Sequence, residues 1–135
     1  MTNEAKLIFE TQTPIPFTVA NATGIEKGTL LAISDLMTAA AAVENDSIAG
    51  IAASEKIASD GNVRLGVYRG GIFRMTAAGT ITVGQTIAAS GSNVVKAATA
   101  ANVGSDIIGI ALETAANGET FLVELNIGAN NNAYA

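Results

Sequence analysis

Ile25-Glu26-Lys27-Gly28-Thr29-Leu30-Leu31-Ala32-Ile33-Ser34 returns without a gap as Ile81-Thr82-Val83-Gly84-Gln85-Thr86-Ile87-Ala88-Ala89-Ser90. A second match keeps the same order: Ser47-Ile48-Ala49-Gly50-Ile51-Ala52 aligns with Asp106-Ile107-Ile108-Gly109-Ile110-Ala111. Each copy then crosses a polar stretch holding Gly61 or Gly118 and enters a run of β-forming residues. The chain thus writes one unit twice, over residues 25–71 and 81–128. The shared positions are mostly glycine, alanine and isoleucine, so the repeat reads as architecture rather than chemistry. Gly28 and Gly84 each stand three residues before an apolar run, the pattern of a turn followed by a short strand.

Outward from the repeat, Val63 to Arg69 alternates apolar residues with polar ones or glycine, as a half-buried strand does. Gly70-Gly71 is a turn signal, and Ile72-Phe73-Arg74-Met75 would complete a hairpin. Phe121 to Ile127 alternates in the same way in the second copy. Asp35 to Val43 is ambiguous, because Asp35 could cap a helix running through Ala39–Ala42. Its counterpart Gly91-Ser92-Asn93-Val94-Val95-Lys96 reads as a turn and a strand, which favours a loop and short strand in both copies. Ala97 to Asn102 has room for one helical turn. Short strands at roughly 8–12-residue spacing predict an all-β fold, a small barrel or sandwich of two similar halves with little helix.

The ends stand apart. Residues 1–16 read as an extended N-terminal arm, with Pro14 and Pro16 fixing the backbone around Ile15. Such an arm can add a strand to a neighbour's sheet, or it can be the first strand of its own. As an arm, it should be removable with the fold intact. Residues 17–128 form a single β-rich domain, and 129–135, opened by Asn130-Asn131-Asn132, a flexible polar tail.

At 135 residues the chain fits one domain. Its apolar fraction is 49 % but its aromatic fraction only 4 %, so alanine supplies much of the core. Small side chains bury little area each, and contacts between subunits are expected to add stability. Seven basic residues are scattered among twelve acidic ones, net charge −5, which argues against nucleic acid or an anionic membrane as partner. No apolar run approaches the ~20 residues that span a bilayer. The opening residues lack the pattern of a secretory leader, so synthesis in a reducing cytoplasm is the expectation.

Catalytic equipment is sparse. The chain has no histidine and no cysteine, which removes the usual general base, the commonest metal ligands and the thiol nucleophile. A Ser54–Lys56 arrangement is the one nucleophilic pairing on offer, and such neighbours are common by chance. Glu44 and Asp46 flank Asn45 at a spacing that loosely suits a calcium loop, but the closing ligands do not follow. Glu113, Glu119 and Glu124 fall in different elements. Arg64, Arg69 and Arg74 recur every five residues and read as a solvated strand face, or as one meeting a carboxylate-bearing partner. The reading is therefore no catalytic residue, no metal and no cofactor.

One resemblance covers residues from about Phe17 to Asn126. The ordered set Gly28-Thr29-Leu30-Leu31, Ala49-Gly50-Ile51-Ala52, Gly66-Val67-Tyr68-Arg69-Gly70-Gly71-Ile72-Phe73 and Ile108-Gly109-Ile110-Ala111 resembles tailed-bacteriophage head decoration proteins, also called capsid cement proteins. The resemblance implies a non-enzymatic subunit, commonly a homotrimer, on the outer surface of the mature head. Its partner would be the major capsid protein, its place the virion, and its work to hold the shell against the packaged DNA. Leu7, Ile8, Phe9, Ile15, Phe17, Tyr68 and Phe73 are the candidates for capsid or subunit contacts, as buried aromatic and aliphatic groups dominate interface energies. The alternative from another class is a non-catalytic β-barrel that binds a ligand or carbohydrate within a larger assembly. Against it stands the scarcity of aromatic platforms, with Tyr68 and Tyr134 the only tyrosines.

Overall fold

The computed structural model describes residues 1–102 and 104–127. The tail 129–135, with Asn130–Asn132 and Tyr134, lies outside them. Among the described residues eleven strands run in chain order: β1 Lys6–Phe9, β2 Ile15–Thr18, β3 Leu30–Asp35, β4 Thr38–Ala41, β5 Ile48–Ala52, β6 Arg64–Tyr68, β7 Gly70–Thr76, β8 Thr86–Gly91, β9 Val94–Ala97, β10 Ile107–Ala111 and β11 Thr120–Asn126. A single 3₁₀ turn, Gly104–Asp106, precedes β10. Ala39, Ala40 and Ala41 of the ambiguous stretch lie in β4 and Ala42 just follows it, with the chain reversing at Leu36-Met37. Ala97 belongs to β9, and a tight turn rather than a helical one follows it, closed by Asn102 N–H on the Thr99 carbonyl at 3.0 Å.

β2, β4, β3, β5 and β6 close into a barrel in that order. β7, β9, β8, β10 and β11 repeat the cycle: they lie in one sheet, which a parallel bridge from Ala77 to Val95 draws round. The duplication holds bond for bond. In the first barrel Ile25 and Lys56 exchange backbone hydrogen bonds, Gly28 N–H donates to Ala52 and Ala52 N–H to Thr29. In the second, Ile81 and Ala115 exchange theirs, Gly84 N–H donates to Ala111 and Ala111 N–H to Gln85.

A barrel of about eight strands is just wide enough for side chains to fill it, so five strands leave a narrow interior. Small residues suit it. Ala39, Ala49 and Ala52 pack with Phe17, Val19, Leu31, Leu65 and Val67 inside the first barrel. The second core is larger, because Leu30, Ile48 and Ile51 from the first barrel pack into it with Phe73, Phe121 and Val123. β5 is buried along its whole length, one set of side chains turned to each barrel. It is the wall that the two halves share.

Gly70-Gly71 does not turn a hairpin. β6 pairs with β2 and β5 of the first barrel, whereas β7 pairs with β1 and β11. A local glycine pair marks a backbone deviation but not which sheet receives each flank. Here the chain passes from one barrel into the next.

Gly50 and Gly109 hold equivalent places on β5 and β10. A Cβ built at Gly50 would overlap the Tyr68 carbonyl on β6, and one at Gly109 would overlap the Glu124 carbonyl on β11. Gly50 also sits at φ 148°, whereas no left-handed angle constrains Gly109. The shared requirement is space for a neighbouring backbone. Gly109→Ala should therefore lower stability by about 1–3 kcal/mol, the usual range for overpacking. A thermal melt checks this, and an unchanged midpoint would contradict the close approach.

Candidate docking surface

β1 is the first strand of the six-stranded sheet and pairs on one side only, with Lys6 opposite Arg74 and Leu7 opposite Phe73. Phe9 faces Ile72, so Ile8 is the extra residue of a bulge. Among the described residues the outer edge of β1 is unpaired, and such an edge is a template for another strand. Leu7, Ile8 and Phe9 are exposed to 36, 44 and 63 %, an apolar strip beside that edge. Ile15, 38 % exposed, lies at the start of β2. Pro14 and Pro16 lack an N–H, so that stretch offers fewer donors and is a poorer template than β1.

In the isolated chain this segment lies on its own body and is not held away from it. Ala5 N–H donates to the Gly28 carbonyl at 3.0 Å, and the Ala5 side chain is in the second core. Tyr68 donates its hydroxyl hydrogen bond to Glu10 at 3.1 Å, and Pro14 packs near Gly66. Removal of Met1 to Thr13 would take β1 from the edge of the sheet and Ala5 from the second core.

The other candidates divide. Phe17 and Phe73 are each 1 % exposed and form the cores of the two barrels, leaving no surface for a partner to touch. Alternation told which residues share a face, but not which face is inward. Tyr68 is half-buried, its ring edge-on to Phe73 with centroids 5.6 Å apart. Burial, then the Glu10 carboxylate, pushes its phenol pKa up. A groove of about 330 Å³ runs beside it, bordered by Glu4, Lys6, Leu7 and Lys27.

The charged constellations resolve into structure. Lys56 is 1 % exposed, and its ammonium donates to the carbonyls of Asn21 and Ile57 and to Asp60 Oδ1 at 3.1, 2.7 and 2.6 Å. Its three donors are satisfied without Ser54. The repeat places Ala115 at this position, so no pattern in the sequence pointed to a buried cation. Glu44 pairs with Lys96 at 3.0 Å, and Asp46 accepts from Val43 N–H at 2.8 Å. Arg64 and Arg74 lie on strands of different sheets, Arg74 meeting Glu113 at 3.4 Å. Arg69 turns inward, donating to the Ala49 carbonyl at 2.8 Å with its guanidinium 5.9 Å from the Phe17 ring. Burial lowers its pKa. Among the described residues no group of three or more carboxylates could hold a metal ion, and no helix is long and apolar enough to cross a membrane.

A family model described as phage cement protein matches residues 9–127. Among solved structures, the chain is similar to the head fiber gp8.5 N base of bacteriophage phi29, at 18 % identity and TM-score 0.57, over 83 % of this chain and 93 % of that one. That likeness concerns the fold. No curated protein matches the chain.

The Lys56–Asp60 pair gives a pH dependence. The hydrogen bond from Lys56, helped by Asn62 N–H, holds the Asp60 carboxyl below the usual carboxylate range. A folded-state pKa below the unfolded one contributes stability above the unfolded value, and that contribution is lost as pH falls through the folded one. Asp60→Asn should lower the thermal midpoint at neutral pH and flatten its fall in the acid range. Parallel midpoint-against-pH curves for both proteins would contradict the pairing.

Proposed function

We propose, from the premise that the chain belongs to the phage cement protein family, that it clips onto the outer face of the mature head through β1. The chain is a structural, capsid-stabilising component of the phage head. The finer reading concerns how it attaches. Packaged DNA presses outward on a shell, and a rigid body bound across neighbouring subunits of the major capsid protein opposes their separation. The work asks for no bond-making chemistry. It asks for stiffness and for several contacts made together, because linked sites gain from effective concentration.

The observation that carries this reading is the strip Leu7-Ile8-Phe9 beside an unpaired strand edge, on a body stiffened by a shared wall. An apolar strip exposed at an open edge suits a partner that supplies either a strand or an apolar groove. The net charge of −5 suits an outer surface remote from the DNA. Copies act together as a homotrimer, made in the host cytoplasm, without nucleic acid, membrane or cofactor as partner and without catalysis.

The test is co-sedimentation with expanded heads. Phe9→Glu should reduce head occupancy at a fixed protein concentration by about tenfold or more, the effect of losing a central anchor. Its thermal midpoint should stay near that of the wild type, because Phe9 is largely exposed. Undiminished occupancy would remove β1 from the contact.

A further inference from the structure

The two barrels are joined by a contact that the chain makes once and leaves open once. The tip between β8 and β9, Ser92-Asn93, reaches across to the Gly28–Leu30 turn of the first barrel. Asn93 Oδ1 accepts from Leu30 N–H at 2.6 Å, and its Nδ2 donates to the carbonyls of Gly28 and Asn3 at 3.0 and 2.7 Å. Gly28 is buried beneath this tip and the N-terminal segment, and a Cβ there would meet Glu4 and Ala5. Glu44 with Lys96, and Asn102 Nδ2 donating to Asn45 at 2.9 Å, fasten the same junction.

The repeat gives each half of this contact a counterpart. The tip equivalent to Ser92-Asn93 is Leu36-Met37, between β3 and β4, with the same left-handed backbone at Met37 and Asn93, φ 46° and 60°. Among the described residues it hydrogen-bonds to no second barrel, and it is exposed, Leu36 to 86 % and Met37 to 42 %, with Ile33 at 41 % on the strand leading to the tip. The turn equivalent to Gly28–Leu30 is Gly84–Thr86. There Gly84 and Gln85 are exposed, a Cβ at Gly84 would meet nothing within 4 Å, and Val83 is 56 % exposed. One chain therefore presents an exposed apolar tip on its first barrel and an exposed Val83–Gln85 turn on its second.

We infer that these two surfaces belong together between copies: the Leu36-Met37 tip of one chain docks on the Val83–Gln85 turn of a second copy. The contact repeats the operation that already places the second barrel on the first, so successive barrels continue one arrangement from chain to chain. The contact is heterologous, and copies joined this way close into a ring where the rotation closes. Chemistry differs between the two versions. The internal joint is polar and sealed by asparagine. The joint between copies is apolar, Leu36 and Met37 against Val83, which accounts for a leucine left almost wholly in water. The inference rests on the reading that copies associate, and not on how they attach to the head.

The test uses the purified full-length chain, without heads, in sedimentation equilibrium. Leu36→Glu disables the tip and leaves the turn; Val83→Glu disables the turn and leaves the tip. Each variant alone should sediment as a single chain, its self-association weakened at least about tenfold by loss of one buried aliphatic contact. Mixed in equal amounts, the two should form one-to-one dimers and nothing larger, because one intact joint remains. Unchanged circular dichroism separates lost association from lost folding. A monomeric wild type, an oligomer that persists in either variant, or a mixture without dimers would overturn the inference. Head binding with no self-association would instead leave the proposed attachment standing.

Discussion

A barrel of five short strands cannot hold a large core, and the rest of the molecule follows from that limit. Its interior takes alanine, valine and a few larger side chains, so most of the burial must come from elsewhere. The chain finds it between its two halves. Ile48 and Ile51 leave the first barrel through β5 and enter the second core, where Leu30 joins them. β5 and β10 can lie this close to their neighbours because Gly50 and Gly109 leave room for a carbonyl where a side chain would stand. The low aromatic content that looks like weakness in composition is what a narrow closed interior requires.

The same limit explains why the N-terminal segment is part of the body. β1 extends the second sheet past its five-strand cycle by pairing with β7, and Ala5 just before it packs into the second core. It also leaves an edge. The inner edge of β1 completes the sheet, and its outer edge and apolar strip are what the proposed attachment uses. In that attachment a contact strand that is also an integral strand would pass load directly into the fold.

Much of this was legible in the sequence, because the duplication supplied an internal control. The helix signal around Ala39–Ala42 was outweighed by its counterpart Val94-Val95-Lys96, which reads as a strand, and β4 agrees. The paired glycines at 28 and 84 marked turns in the sequence, whereas the repeat of Gly50 at Gly109 did not say that a neighbouring backbone fills the space a side chain would take. Other features were not legible. The Gly70-Gly71 pair gives the same local signal for a hairpin and for a passage between sheets. Phe17 and Phe73 have the size of interface anchors and the burial of core, a distinction made only by closure of the barrels. Lys56 had no echo in the repeat, and Arg69 was hidden among arginines that face water.

In the proposed attachment this rigid double barrel grips the shell through the outer edge of β1. Cryo-electron microscopy of expanded heads saturated with the chain is the decisive measurement. Leu7, Ile8 and Phe9 should face the major capsid protein, with density continuous from β1 into the shell. A bound chain whose β1 points to solvent, with the shell contacted by another face, would contradict it.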